Sequence, residues 1–299
     1  MRASYHPDYF VPLPENHRFP MGKFPVLHNI LLKEGVLERS DITAPQEASW
    51  NELRLVHTSK YLLELVEGTL DPAAERRLGL PWSEALVRRS RLATQGTINA
   101  GWMALEDGIS GNLAGGTHHA FPDHGEGFCV LNDVAVAALV LRRNRAIRRS
   151  LIVDLDVHQG NGTAAIFAND SQVYTFSMHG ERNYPFRKAS SDCDVALQDN
   201  TPDEVYLGIL ARHLPQVIEA SRPDLIFYLA GIDPMAGDRF GRLALTRDGL
   251  NERDRQVLQT TWQLGIPLVI VLSGGYASTV EATADLHANV FRQAKLFHR

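Results

Sequence analysis

Cysteine is scarce in this sequence, which has only Cys129 and Cys193 among its 299 residues. Two thiols build neither a disulfide framework nor a cysteine-rich structural zinc site, and they favour a reducing compartment. Long apolar runs are missing as well, because the two longest, near 134–141 and 266–272, are too short to cross a bilayer. The first residues also lack the apolar core of a signal peptide. We therefore expect a cytoplasmic protein with no membrane partner.

An excess of positive charge is also absent, since the formal net charge is −5 at pH 7. The one basic cluster, at 142–149, follows an apolar helix, and solvated arginines at a helix end explain it better than a phosphate-binding patch does. We therefore expect no nucleic-acid partner. No segment rich in proline, glycine and serine divides the chain. With 44% hydrophobic and 22% charged residues, residues 1–299 are predicted to form one domain with a substantial core.

Strand and helix patterns alternate along the chain. Runs rich in β-branched and apolar residues predict strands at 111–114, 150–157, 172–177, 225–229 and 267–272. Helical patterns occupy 81–108, 133–142, 201–220 and 247–264. Because helices separate the strands, the sequence predicts an α/β fold with a mostly parallel central sheet and helices on both faces.

Several helix ends have sequence signals. Asn132 is a predicted N-cap, and residues 201–204, which read Thr-Pro-Asp-Glu, predict a capping box with proline at the first helical position. Gly265 is predicted to end its helix in the left-handed conformation. Pro215 is expected to kink or split the helix that contains it. Residues 8–25 are rich in proline, histidine and aromatics and predict a long loop that lines a binding site.

Polar side chains follow the apolar strand runs. They are His118-His119, Asp154 to His158, Ser177-Met178-His179, Asp233 and Gly274-Gly275-Tyr276. In a parallel sheet, sites form beyond the carboxyl ends of the strands. Residues 151–158 alternate apolar and polar positions at their end, so we expect Asp154, Asp156 and His158 to project to one face of a strand.

Asp156, His158 and Asp233 are the candidate metal ligands. Three protein ligands leave one position open for water, which is the pattern of a catalytic zinc site. Two carboxylates make the set harder than three imidazoles, so Fe²⁺ or Co²⁺ can compete with Zn²⁺. Each residue alone has a structural alternative, because a strand-terminal aspartate often caps a helix or starts a turn and a lone histidine is often hydrogen-bonded in the core. The complete constellation favours the metal.

His118, His119 and Tyr276 have the chemistry to assist such a metal. In a loop after Gly115-Gly116, both imidazoles can reach one cavity and serve as general base and general acid. Tyr276 follows two glycines that let its phenol approach closely and stabilise a developing oxyanion. Taken alone, Tyr276 would be interpreted as a packed loop aromatic.

Together these residues resemble the zinc-dependent histone deacetylase family of the arginase–deacetylase superfamily. The motifs are 115–120 (Gly-Gly-Thr-His-His-Ala), 127–129 (Gly-Phe-Cys), 132–133 (Asn-Asp), 153–162 (Val-Asp-Leu-Asp-Val-His-Gln-Gly-Asn-Gly), 230–233 (Ala-Gly-Ile-Asp) and 274–276 (Gly-Gly-Tyr). The resemblance extends from His17 to the Tyr276 loop. Residues 79–82, 158–162 and 183–185 look closest to the class IV branch and its bacterial relatives. The resemblance to this family implies one deacetylase-like catalytic domain with an arginase/deacetylase-like sheet of about eight strands.

The resemblance also implies a role for individual residues. Zn²⁺ would be held by Asp156, His158 and Asp233, and a structural K⁺ by Asp154, Asp156, His158, Ser177 and Met178. His118 and His119 would share proton transfer, with His119 preferred as the base. Asp154 would hydrogen-bond His118, and Asn161 would lie behind His119, where an uncharged amide makes that imidazole less basic. Tyr276 would polarise the amide carbonyl. The substrate contacts would be the Gly127 carbonyl, Phe128, Tyr184 and Phe240.

The expected reaction is hydrolysis of the amide in an acyl-lysine, within a protein, a peptide or a small acylated amine. Polyamine-specific relatives place a glutamate seven residues after the last zinc aspartate, where this chain has Phe240, so polyamines are disfavoured. Ser273 stands where many relatives have glycine. Two alternatives are a deacetylase of small acylated amines such as polyamines and a non-catalytic acyl-lysine binding module. Arginase-like chemistry would need more aspartate ligands than the sequence offers.

Overall fold

Eight parallel strands form the central sheet of this structure, a computed structural model that describes residues 1–297. The strands are β1 (Ala3–Ser4), β2 (Ile42–Thr43), β3 (Ile109–Asn112), β4 (Ser150–Asp154), β5 (Val173–Gly180), β6 (Cys193–Leu197), β7 (Leu225–Leu229) and β8 (Leu268–Val271). Their order across the sheet is β2-β1-β3-β8-β7-β4-β5-β6. The expected parallel sheet is thus confirmed, and β3, β8, β7, β4 and β5 bring their carboxyl ends side by side.

The central strands are buried on both faces. In β4, Leu151 and Val153 join one hydrophobic core, while Ile152 between them joins a second core. In β8, Leu268 and Val269 divide in the same way. Since neither face meets water, alternation between apolar and polar residues is unnecessary, which explains the continuous apolar runs in the sequence.

Helices cover both cores. Those of the described residues are α1 (Lys23–Lys33), α2 (Trp50–Leu53), α3 (Ser59–Glu67), α4 (Pro72–Leu78), α5 (Glu84–Asp107), α6 (Asp133–Arg143), α7 (Asn161–Phe167), α8 (Asp203–Ser221), α9 (Arg247–Leu264) and α10 (Val280–Ala294). Helices α1, α8, α9 and α10 supply the first core, and α2, α3, α6 and α7 the second. The prediction of helices on both faces is confirmed. No helix in residues 1–297 is both long and apolar enough to traverse a membrane.

Three strand predictions need correction. β4 ends at Asp154 rather than at 157, and β3 begins two residues earlier than predicted, at Ile109. β5 extends to Gly180, so Ser177 lies inside the strand, where it pairs with Asp154 of β4. β1 and β2 have only two residues each, which is too short for a periodic pattern to identify.

The start of α8 also differs from its prediction. The capping box at 201–204 does not form, because Pro202 is the N-cap and has no capping side chain. The Thr201 hydroxyl instead donates to the Gln198 carbonyl at 2.7 Å. Pro215 does not split the helix, which is continuous from Asp203 to Ser221. Burial of its apolar side in the first core outweighs the hydrogen bond that proline removes.

The other helix signals have clear counterparts. The Asn132 side chain accepts a hydrogen bond from the Ala135 N–H, and Gly265 ends α9 in the left-handed conformation. The predicted loop at 8–25 is shorter than expected, because a 3₁₀ turn ends at Tyr9 and α1 begins at Lys23.

Candidate metal centre and the cavity above it

Asp156, His158 and Asp233 meet at the carboxyl ends of β4 and β7. One potential ligand atom from each lies within 4.8 Å of the others. His158 Nδ1 is 2.9 Å from Asp156 Oδ1 and 3.2 Å from Asp233 Oδ2. The two aspartates are completely buried, and His158 is 9% exposed. The structure therefore brings the three predicted ligands together.

Hydrogen bonds from neighbouring loops hold the two carboxylates in place. Asp156 Oδ2 accepts from the Gly274 N–H at 2.6 Å and from the Ser273 hydroxyl at 2.7 Å. Asp233 Oδ1 accepts from the Val157 N–H at 2.9 Å. Because β4 ends at Asp154, the expectation that 154, 156 and 158 share one strand face is wrong. Loop hydrogen bonds, rather than strand alternation, direct the Asp156 carboxylate.

The donor set fits a divalent cation. Within residues 1–297, Asp233 Oδ2 is buried and accepts no hydrogen bond of acceptable geometry, although His158 Nδ1 lies 3.2 Å away. Burial, together with repulsion from Asp156, raises the pKa of Asp233 to about 7. Gly274 leaves the space open, since a Cβ there would collide with Asp233 Oδ2. A bound cation would neutralise the two buried carboxylates and would be a partner for Asp233 Oδ2.

His118 and His119 lie side by side, with their ring centroids 4.1 Å apart. Nδ1 of His118 is 2.6 Å from Asp154 Oδ2, and Nδ1 of His119 is 2.6 Å from Asn161 Oδ1. Both expected partners are therefore in contact with their histidines. Each bond occupies Nδ1 and leaves Nε2 as the second nitrogen of the ring.

The two imidazoles differ in charge preference. Burial opposes a charged His118, but the carboxylates of Asp154 and Asp156 outweigh it and raise its pKa to about 9. Burial and the neighbouring His118 and His158 lower the pKa of His119 well below its ordinary value. One histidine is thus suited to carry a proton while the other stays neutral.

A cavity of about 660 Å³ opens above the triad. Its walls include His119, the predicted general base, and His158, a predicted metal ligand. All of the predicted substrate contacts also line it. Those contacts are Gly127, Phe128, Tyr184 and Phe240. Phe128 has a positive φ of 67°, an unusual conformation for a bulky residue, and local strain of this kind clusters at functional sites.

Tyr276 lies at the same cavity and is 9% exposed. Its ring packs edge-on against Phe240, with centroids 4.7 Å apart, and its N–H donates to Asp238 Oδ2 at 2.7 Å. Burial and the nearby Asp233 and Asp156 raise the pKa of the phenol well above its ordinary value. Tyr276 is therefore a neutral hydroxyl donor held in a fixed loop.

Three supporting residues were not predicted from the sequence. Asp238 accepts hydrogen bonds from the N–H groups of Phe240, Gly241 and Tyr276, and so ties two loops together. Ser273 donates to Asp156, and its position in the glycine motif was the one available signal. Glu126 accepts a hydrogen bond from the Asn161 amide at 2.6 Å. It directly precedes the 127–129 motif, but nothing in the sequence indicated a role for it.

The residues predicted to bind potassium lie at the end of β4, in the loop after it and in the second half of β5, and two of them, Asp156 and His158, also belong to the triad. Asp154 pairs with Ser177 across β4 and β5, and Met178 is fully buried beside it. The Ser177 hydroxyl lies 2.9 Å from His179 Nδ1. The assignment of a potassium ion to these residues stays a prediction.

Residues 17–293 match the family profile of the histone deacetylase domain. An uncharacterized protein of Picosynechococcus sp. is 48% identical over 291 residues, which cover 97% of each chain. Histone deacetylase 2 of Arabidopsis thaliana is 32% identical over 95% of this chain and 76% of its own length. Histone deacetylase 8 of Xenopus tropicalis is 32% identical over 84% of this chain and 72% of its own length.

A solved structure, the crystal structure of the HDA15 HD domain, has the same fold. The superposition has a TM-score of 0.80 and covers 99% of this chain and 91% of that one. The sequence identity is 23%, so this similarity concerns the fold.

Proposed function

The chain belongs to the histone deacetylase family and is a deacetylase enzyme, and we propose that it removes an acetyl or longer acyl group from the side-chain amine of lysine by hydrolysis. The observation that carries this proposal is the convergence of the buried Asp156, His158 and Asp233 with His119 and Tyr276 at one cavity. The acyl-lysine can belong to a protein, a peptide or a small molecule.

We assign Asp156, His158 and Asp233 to Zn²⁺, with Fe²⁺ or Co²⁺ as metals that the carboxylate-rich set also accepts. When bound, the cation would act as a Lewis acid for the amide carbonyl and lower the pKa of a water molecule toward about 7. The buried Asp233 Oδ2, which accepts no hydrogen bond of acceptable geometry from residues 1–297, supports this assignment. Asp154, Asp156, His158, Ser177 and Met178 are assigned to a structural K⁺.

The histidines divide the proton transfers. With Nδ1 of His119 bound to Asn161, Nε2 takes the proton of the attacking water as the general base. A histidine then returns a proton to the departing amine. His118, whose charged form Asp154 stabilises, places positive charge near the negative charge that develops on the carbonyl oxygen. The C–N bond breaks, and the products are a carboxylic acid and a free amine.

The remaining cavity residues orient the substrate. Tyr276 donates its hydroxyl proton in a hydrogen bond to the carbonyl oxygen as negative charge develops there. The Gly127 carbonyl accepts the amide N–H, and Phe128 and Tyr184 flank the aliphatic chain of lysine. Phe240 packs against Tyr276 and offers no carboxylate for a second amine, which disfavours a polyamine substrate.

Removal of metal tests the proposal. After dialysis against a chelator, we expect hydrolysis of an acetyl-lysine peptide to fall at least about 100-fold, because the buried triad then lacks its cation. Adding one equivalent of Zn²⁺ or Co²⁺ should restore hydrolysis, and elemental analysis should find about one ion per chain in the active protein. Full activity in metal-free protein would overturn the assignment. Binding of acyl-lysine without turnover under every metal would favour a non-catalytic binding module.

A further inference from the structure

Within residues 1–297, arginines line the mouth of the cavity and no carboxylate does. The five are Arg18, Arg76, Arg77, Arg182 and Arg242. The whole chain has a net charge of −5, so the positive mouth is a local feature and opposes the overall charge.

Three of these arginines form no ion pair with a carboxylate in the described part of the chain. Arg242 and Arg182 approach Asp199 at 3.2 and 3.9 Å, so one carboxylate partly balances two guanidinium groups. Arg18, Arg76 and Arg77 are exposed and form no ion pair with any carboxylate of residues 1–297. Their charges are therefore available to a ligand.

The backbone that carries these three arginines is fixed to the cavity wall. The Arg77 carbonyl accepts the Gly127 N–H at 3.2 Å, and the next carbonyl, of Leu78, accepts the Phe128 N–H at 2.8 Å. His17, next to Arg18, has Nε2 3.0 Å from the Gly79 carbonyl. The positive charges are thus attached to the segments that contact the predicted substrate-binding loop.

Favourable interaction with a helix dipole is one reason for arginine at these positions. Arg76 and Arg77 are in the last turn of α4, where positive charge is favourable. Arg18 is not in a helix, so the dipole does not explain its position, and no carboxylate of the described residues lines the cavity. The helix dipole therefore does not explain why all five arginines lie at the mouth of the cavity.

We infer, resting on the proposed function, that the preferred substrate is an acyl-lysine flanked by carboxylates, in an acidic segment of polypeptide. Positive charge at the mouth of a low-dielectric cleft raises the local concentration and the association rate of anionic ligands. It repels a lysine flanked by lysine and arginine. The basic segments that the family name suggests are therefore poor substrates for this chain.

Three peptides of equal length provide the test, each with a central acetyl-lysine flanked by aspartate and glutamate, by alanine and serine, or by lysine and arginine. At low ionic strength we expect kcat/KM to be about tenfold or more higher for the acidic peptide than for the basic one. Salt should reduce this ratio, because exposed charges are screened within about 10 Å at 0.1 M.

The variant Arg18→Gln/Arg76→Gln/Arg77→Gln should reduce the acidic-to-basic ratio to within about threefold of one. Arg143→Gln/Arg148→Gln/Arg149→Gln is the matched control, because it also removes three exposed arginines, all of them outside the cavity, and should leave the ratio unchanged. A wild-type enzyme that hydrolyses all three peptides equally would overturn the inference alone. An enzyme that hydrolyses none of them, with metal present, would overturn the proposed function.

A second and independent observation concerns Glu126. Its Oε1 accepts from Asn161 Nδ2 at 2.6 Å, and Asn161 Oδ1 lies 2.6 Å from His119 Nδ1. Glu126 Oε2 lies 3.8 Å from His124 Nε2, and the Glu126 side chain is 12% exposed. A carboxylate can only accept, so it requires the Asn161 NH₂ to face Glu126 and the amide oxygen to face His119.

We propose that Glu126 is a positioning residue that fixes the tautomer of His119 through Asn161. With the amide oxygen directed at Nδ1, that nitrogen must hold the hydrogen, and Nε2 keeps its lone pair for the substrate side. Without Glu126, the amide could turn over and present its NH₂ group to Nδ1. The hydrogen would then move to Nε2, and His119 could no longer accept a proton there.

Epistasis tests this role. Glu126→Ala should lower kcat by about tenfold or more while KM changes little, because ground-state binding does not depend on the tautomer. Asn161→Asp alone should also lower kcat, since it sets two carboxylates against each other. Adding Glu126→Gln to Asn161→Asp should then raise kcat, because the glutamine amide can donate to the new carboxylate. If Glu126→Gln/Asn161→Asp is no more active than Asn161→Asp alone, Glu126 does not act through Asn161 and the proposal is wrong.

Discussion

Asp233→Ala should remove the bound metal and the hydrolase activity together. Asp233 supplies a buried carboxylate whose Oδ2 accepts no hydrogen bond from the described residues and lies 3.2 Å from His158 Nδ1. Alanine leaves two of the three proposed ligands. Because a metal that acts as a Lewis acid contributes several kcal/mol to catalysis, we expect kcat/KM to fall by at least about a thousandfold.

The measurement combines metal content, activity and thermal unfolding. Wild-type protein should gain thermal stability when Zn²⁺ is added to the metal-free form, since a ligand that binds only the folded state stabilises it. Asp233→Ala should show neither this gain nor one equivalent of metal. Asp248→Ala, in the exposed first turn of α9, is the control and should behave as wild type. Metal bound at wild-type affinity by Asp233→Ala would exclude Asp233 as a ligand.

The convergence of the site was predictable because it follows from the topology of a parallel sheet. Asp156, Asp233 and Tyr276 each come shortly after an apolar strand run, and the strands β4, β7 and β8 are neighbours in the sheet. In such a sheet the carboxyl ends of neighbouring strands share one edge. The sequence therefore identified which residues meet, even though it placed the end of β4 three residues too late.

The directions of the side chains were not predictable in the same way. Asp156 is directed by the Gly274 N–H and the Ser273 hydroxyl, which are 117 to 118 residues away in the chain. Glu126 and Asp238 act through hydrogen bonds to residues of other loops, and no periodic pattern reports such contacts. Loop hydrogen bonds depend on the complete tertiary fold, whereas strand position depends on local sequence.

The edge of the sheet shows a second limit of local patterns. β6 at Cys193–Leu197 was not predicted as a strand, and it alternates partly buried and exposed positions at one edge of the sheet. Its sequence has no continuous apolar run, because alternate side chains of this strand are exposed to solvent. Pro215 gives the opposite case, since a strong local signal for a helix break is overridden by the burial of α8.

Tyr276→Phe should lower kcat by about two to three orders of magnitude while the metal stays bound. Removing one oxyanion donor typically has an effect of this size. The ring itself should keep its place, because its centroid lies 4.7 Å from that of Phe240 and the backbone N–H of residue 276 donates to Asp238. The loss should therefore concern the hydroxyl and not the shape of the cavity.

Because the hydrogen bond strengthens as charge develops on the carbonyl oxygen, the loss should appear in kcat more than in KM. Tyr174→Phe, on β5 and outside the cavity, removes a hydroxyl of the same kind and should leave kcat unchanged. Elemental analysis should find the same metal content in Tyr276→Phe, Tyr174→Phe and wild type, in contrast to Asp233→Ala. A fully active Tyr276→Phe would mean that the carbonyl oxygen is stabilised without this phenol, and the role assigned to Tyr276 would then be wrong.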